Sequence, residues 1–179
     1  MSYQRRLKYQ GIEPFWNNVL RILKRDIPQE LALQSVDLAT YYGGNPSAYL
    51  LPDFEEYLQA EKPDPAFPLI IVQPDQDDSV ETKDRSTLNE ENRLDITICT
   101  PPNEDLAKIT LDVIRYKRAV LNVLWSAARD DLFKDITNRS LAFVQLRQGR
   151  YVWFKENKMF GRAVKGLKVV ANYGESTNR

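Results

Sequence analysis

The sequence contains no histidine. That absence removes Ser-His-Asp triads, Cys-His nucleophile pairs, histidine-ligated zinc and imidazole general bases together. Cysteine occurs once, at Cys99, so no disulfide can close within the chain, and a lone thiol fits a reducing compartment. Long apolar runs are missing as well: stretches such as Leu69-Ile70-Ile71-Val72 fall far below the roughly 20 residues that span a bilayer. The start, Met1-Ser2-Tyr3-Gln4-Arg5-Arg6, leads into no apolar segment and does not read as a secretory signal, so a soluble chain made in cytoplasm is expected. Neither sign of charge is in excess. Lys plus Arg is 25 and Asp plus Glu is 25, whereas a protein that coats nucleic acid carries a basic surplus. Phosphate cradles are absent too, since Gly43-Gly44 lacks the spacing of a GxxxxGK loop and no GxGxxG follows a strand.

What is present describes an ordinary globular core. Hydrophobic residues at 42% and charged residues at 28% over 179 positions suit a single domain spanning residues 1–179. Phe15, Trp16, Val19, Leu20, Leu23 and Ile27 recur at spacings of three and four, which predicts an amphipathic helix begun at Pro14 and closed by Pro28. Val36, Leu38 and Tyr42 then share one parity with Asp37 on the other, which reads as a strand over residues 34–42 ending at Gly43-Gly44. Residues 45–65, interrupted by Pro46, Pro52, Pro63 and Pro65, form an irregular proline-rich insertion with room for a short helix over residues 53–60.

Residues 67–73 read as a central strand. Its antiparallel partner is residues 93–100, where Leu94, Ile96 and Ile98 alternate with Asp95, Thr97 and Cys99. Between them, residues 74–92 make a long polar hairpin loop, of a length that is uncommon inside a compact domain unless it has a task.

The strongest periodic element covers residues 104–129. Leu106, Ile109, Val113, Tyr116, Val120, Val123 and Ala127 form its stripe, widened by Leu111, Ile114, Leu121 and Leu124, with Asn103 as the expected cap. The tail returns to alternation: strands over residues 141–147 and 151–155 flank a Gln148-Gly149-Arg150 turn, and a last strand covers residues 164–173, with Gly161 and Gly166 marking a bend and a bulge. The expected fold class is α+β, a mostly antiparallel sheet packed by an N-terminal helix and one long central helix, with a long acidic hairpin.

Charge is partitioned along the chain even though it sums to zero. The hairpin carries Asp75, Asp77, Asp78, Glu81, Asp84 and Glu90, while Arg150, Lys155, Lys158, Arg162, Lys165 and Lys168 make the C-terminal segment basic. The acidic cluster offers hard oxygen ligands but lacks the glycine turn and distal glutamate of an EF-hand loop, so a solvated or partner-facing loop is the plainer reading. The carboxylate pairs Glu55-Glu56, Glu90-Glu91 and Asp130-Asp131 would need a pocket to do acid-base work, and adjacent carboxylates usually decorate surfaces. Basic residues interleaved with Tyr151, Trp153, Phe154 and Phe160 would suit a nucleic-acid face, although alternation also sends such aromatics to a core. An acidic segment on one copy facing a basic segment on the next is a heterologous, head-to-tail contact, which closes into a ring when the rotation allows.

The order of these elements carries a resemblance. An N-terminal amphipathic helix, the Phe67-Pro68-Leu69-Ile70-Ile71-Val72 strand, a long hairpin to Arg93-Leu94-Asp95-Ile96-Thr97-Ile98, a long helix and a closing Gly161-Arg162-Ala163-Val164-Lys165-Gly166-Leu167-Lys168-Val169-Val170 strand resemble the tail terminator proteins of tailed bacteriophages, within the broader group of tail-completion and neck proteins. The resemblance excludes residues 45–65 and rests on pattern and element order. It implies a non-enzymatic virion protein that forms a homohexameric ring on the tail tube, ends tail growth and provides the head-tail joining surface. The implied partners are further copies of itself, the tail tube protein, head connector or neck proteins and, in contractile tails, the sheath. Genomic DNA would pass through the lumen without sequence-specific binding. The implied location is the tail or neck of the virion, assembled in host cytoplasm, with no catalytic residue, cofactor, metal or membrane. Another neck, head-completion or ring-forming tail protein is the alternative in the same class, and a small nucleic-acid-binding α+β domain is the alternative from a different one.

Overall fold

A computed structural model describes residues 12–57, 68–74, 79–82, 87–101, 103–130, 140–155 and 161–176, with side chains described over 12–54, 68–74, 92–101 and 103–130. The fold is α+β. The elements are α1 (Glu13–Tyr42), a 3₁₀ turn (Pro46–Tyr49), β1 (Glu55–Tyr57), β2 (Leu69–Pro74), β3 (Ser79–Thr82), β4 (Thr87–Cys99), α2 (Leu106–Arg129), β5 (Ser140–Lys155) and β6 (Gly161–Ser176).

The first correction concerns α1, which runs through Pro28 and takes up the whole segment expected as a strand. Pro28 lacks an N–H and crowds the preceding turn, at a typical cost of about 3 kcal/mol in a helix interior. Burial on both sides of it offsets that cost. Ile22, Leu23 and Ile27 before it, and Leu31, Gln34, Ser35 and Ala39 after it, keep one face inside. Each fully buried Leu or Ile contributes roughly 1.5–3 kcal/mol. The parity of Val36, Asp37 and Leu38 was therefore a local coincidence within a helical repeat. The helix ends at Gly43, whose φ of 80° is the left-handed region glycine adopts without strain, and Gly43 N donates to Ala39 O at 2.8 Å.

Among the described residues the sheet has six strands, in the order β1-β2-β4-β6-β5, with β3 also paired to β4. The β1–β2 pair is parallel, and β2–β4, β3–β4, β4–β6 and β5–β6 are antiparallel. At 13 residues β4 is long enough to hold two partners in succession along one side: β3 against Leu88 to Glu91 and β2 against Leu94 to Cys99. Its other side pairs with β6 throughout, from Thr87 opposite Ser176 to Cys99 opposite Val164. Three further expectations change here. Residues 55–57 pair with β2 as a strand where a short helix was expected. Part of the expected hairpin loop is strand, in β3 and the start of β4. The turn expected at Gln148-Gly149-Arg150 is instead a bulge within one continuous strand, β5: Gln148 opposes Leu167 and Tyr151 opposes Lys165, which leaves Gly166 opposite the extra residue.

Both helices lie on one face of the sheet. Ile70, Val72, Leu94, Ile96 and Ile98 meet Phe15, Val19 and Leu23 of α1 and Ile109, Val113, Tyr116 and Val120 of α2 in one buried cluster. Trp16 Nε1 ties α1 to the sheet by donating to Val72 O at 3.0 Å. Polar contacts also join the two helices. In the orientation that satisfies both amide atoms, Gln34 accepts from Ala119 N at 2.9 Å and donates to Arg115 O at 3.3 Å, and Asn122 Nδ2 donates to Glu30 Oε1 at 2.7 Å. Asp105 caps α2, accepting from Ala107 N and Lys108 N; Asn103, the expected cap, lies two residues earlier and accepts from Asp105 N.

Candidate assembly interface

The sheet register gives the charged segments a spatial order that sequence alone does not contain. Glu81 opposes Asn89, and Glu90 opposes Val80 on one side and Tyr173 on the other, so these carboxylate-bearing positions share one end of the β3–β4–β6 ladder. Glu175 joins that end, opposite Leu88. Basic positions occupy the other end: Arg162 opposes Phe154, Lys155 opposes Gly161, Lys165 lies between Ile98 and Tyr151, and Arg150 sits in the β5 bulge. Glu90 and Ile98 are eight residues apart on β4. At 3.4 Å per residue the two ends are about 27 Å apart, well beyond the Debye length of roughly 8 Å at physiological salt. Lys168 is the exception. It stands mid-ladder, in register with Asp95 on β4 and Arg147 on β5. Asp75, Asp77, Asp78, Asp84 and Lys158 lie outside the described residues.

A second surface was not anticipated. Leu106, Leu111 and Ile114, read from sequence as part of the core stripe of α2, are 57%, 52% and 45% exposed, and Trp125 is 70% exposed. The inward arc was simply narrower than the run of apolar residues: Ile109, Val113, Tyr116, Val120, Val123, Leu124 and Ala127 fill it, with Leu121 half-buried at its margin. On α1, Leu33, Val36, Tyr41 and Tyr42 are also exposed. From residue 31 to residue 52 the only charged side chain is Asp37. Large exposed apolar surface with little charge is the composition of interface cores. The signal in sequence was that charge gap, together with an apolar stripe too wide for one buried face.

Two described side chains on α2 have shifted acidities. Tyr116 is buried, and burial first, then the nearby Asp112 and Asp53 carboxylates, push its phenol well above the ordinary range. Its Oη donates to Pro52 O at 3.3 Å and its ring packs on Phe54 with centroids 4.3 Å apart, so it clasps the segment after α1 to α2. Tyr49 adds to that clasp, donating to Gly43 O at 3.0 Å with the Arg115 guanidinium 5.8 Å above its ring. Asp112 is raised by partial burial, against the pull of Lys108 and Arg115. Asp130 is exposed and paired to Arg129 at 3.1 Å. Among the described residues no cluster of three or more His, Cys, Asp or Glu side chains could hold a metal ion, and no helix is long and apolar enough to cross a membrane.

Comparison with known proteins gives no family model that matches the chain, and no match among curated proteins. One similar solved structure is a chain from the virion of a native gene transfer agent particle, 14% identical, covering 92% of this chain and 99% of that one, with a TM-score of 0.46.

Proposed function

We propose that this chain is a non-catalytic building block of a phage-like virion, which closes into a ring on the end of the tail tube, stops its growth and offers the surface for head-tail joining. The observation that carries this reading lies in the β4–β6 pair alone, with Glu90 and Glu175 towards one end and Lys165 and Arg162 towards the other. A two-fold contact through either end would bring like charges together, whereas a head-to-tail contact brings acidic end to basic end and sets the register between copies. Support also comes from the element order, helix, strand, hairpin, long helix and closing strands, on which the resemblance to tail terminators rests.

In this mechanism the work is surface matching. Glu81 and Glu90, with Asp75, Asp77, Asp78 and Asp84, present the acidic side to a neighbouring subunit. Arg150, Lys155, Lys158, Arg162 and Lys165 receive it, whereas Lys168 stands mid-ladder in register with Asp95. The test is to add the purified protein to polymerising tail tubes and measure tube length. Arrested growth is expected, with arrest lost when the six acidic residues are replaced by their amides. Tubes that lengthen unchecked in the presence of the unaltered protein would refute the reading.

A further inference from the structure

The two exposed apolar stripes share a feature that suits them to each other. On α1, Leu33, Val36, Thr40 and Tyr41 face solvent with Asp37 in their midst. On α2, Leu111, Ile114 and Trp125 face solvent, and Arg118 stands midway between Leu111 and Trp125. At 1.5 Å per residue the stripes are about 12 Å and 21 Å long, so the shorter fits within the longer with its charge near the centre. Neither charge forms an ion pair with another described residue.

We infer that the Asp37 stripe of α1 docks on the Arg118 stripe of α2 in a second copy of this chain, apolar side chains covering one another around a central Asp37–Arg118 pair. The charges decide between a head-to-tail contact and a two-fold one. If the α2 stripe met its own copy centre to centre, Arg118 would face Arg118, and a pair of α1 stripes would set Asp37 against Asp37. Only the crossed pairing places opposite charges where water is excluded, where a mismatched charge is costly. The two stripes belong to different helices, so each copy keeps one of each free and the contact can propagate. The inference shares with the proposed function the premise that copies associate head to tail. It uses different residues and requires no tail tube.

Cross-linking between two cysteine variants tests it without touching either charge. Thr40→Cys places a thiol one turn from Asp37, and Ile114→Cys places one a turn from Arg118; both sites are exposed, while the native Cys99 is buried. A short bifunctional maleimide should join a Thr40→Cys chain to an Ile114→Cys chain in a mixture of the two, and should join neither variant to itself. Adding Asp37→Arg to the first chain should cut the mixed product at least about tenfold, and adding Arg118→Asp to the second should restore it. Asp37 and Arg118 are exposed, and melting curves of the reversals check that the fold is kept. Failure to form the mixed product, self-products as abundant as the mixed one, or no rescue by the second reversal would each overturn the inference. Tube-capping failure with this cross-link intact would count against the tail reading alone.

Discussion

The two sides of α2 are both apolar, yet they do different work. Its inner arc, Ile109, Val113, Tyr116, Val120, Leu124 and Ala127, is sealed against the sheet and α1. Its outer arc, Leu111, Ile114 and Trp125 around Arg118, meets only solvent within the described chain. Burial within one molecule stabilises the fold, whereas apolar surface left outside stabilises it little and is the kind of surface that contacts between molecules use. The comparison teaches that a helix can be apolar over a wider arc than its own fold buries.

The sharpest way to break the comparison is to truncate both sides. Leu124→Ala, at a fully buried site, should lower unfolding free energy by about 2–5 kcal/mol in urea titration. Trp125→Ser should change it by no more than about 0.5 kcal/mol while weakening self-association, because its neighbour Leu124 carries the packing. Equal losses from the two would erase the distinction. Next in size is Pro28→Ala, which restores a helix N–H on an exposed position and should raise stability by roughly 1–2 kcal/mol. The gain falls short of the full helix-propensity gap because proline also restricts the unfolded chain. Asp105→Ala should cost about 1 kcal/mol by releasing Ala107 N and Lys108 N, visible as a lower melting temperature.

The smallest effect is a dependence on pH. Partial burial raises Asp112 above its usual 3.8, so the folded state favours the protonated carboxyl. Its favourable contribution is therefore present below that usual value and is lost as pH rises through the raised one. Asp112→Asn should be more stable than the parent at neutral pH, with the advantage disappearing below about pH 4. An advantage that grows on acidification would contradict the burial argument.

Much of this architecture is legible in the amino-acid sequence, and the exceptions have physical reasons. The strand pair β2–β4 and the helix α2 announce themselves because their burial is periodic: Leu94, Ile96 and Ile98 alternate, and Ile109, Val113, Tyr116 and Val120 step by three and four. The second half of α1 was hidden because Pro28 mimics a stop signal, and burial of Leu31, Gln34, Ser35 and Ala39 beyond it overrides that signal. Residues 55–57 were illegible as a strand because their partner, β2, lies across a parallel pairing that no local signal encodes. A glycine and two polar neighbours at 148–150 look like a turn, yet the same residues make a bulge when β6 continues opposite.

The candidate interface divides in the same way. That residues 74–92 are acidic and the C-terminal segment basic is plain in the sequence. That Glu90 and Lys165 stand towards opposite ends of one ladder follows only from the register of β4 on β6. The exposed stripes were harder still, because a run of Leu, Ile and Trp does not say which of its members the sheet will cover.

The most direct test of the account is an electron micrograph average, viewed end on, of tail tubes incubated with the purified protein. The account predicts a closed annulus of this polypeptide at the tube end, with successive copies related by rotation about the tube axis. Bare tube ends, or copies paired two by two with no ring, would contradict it.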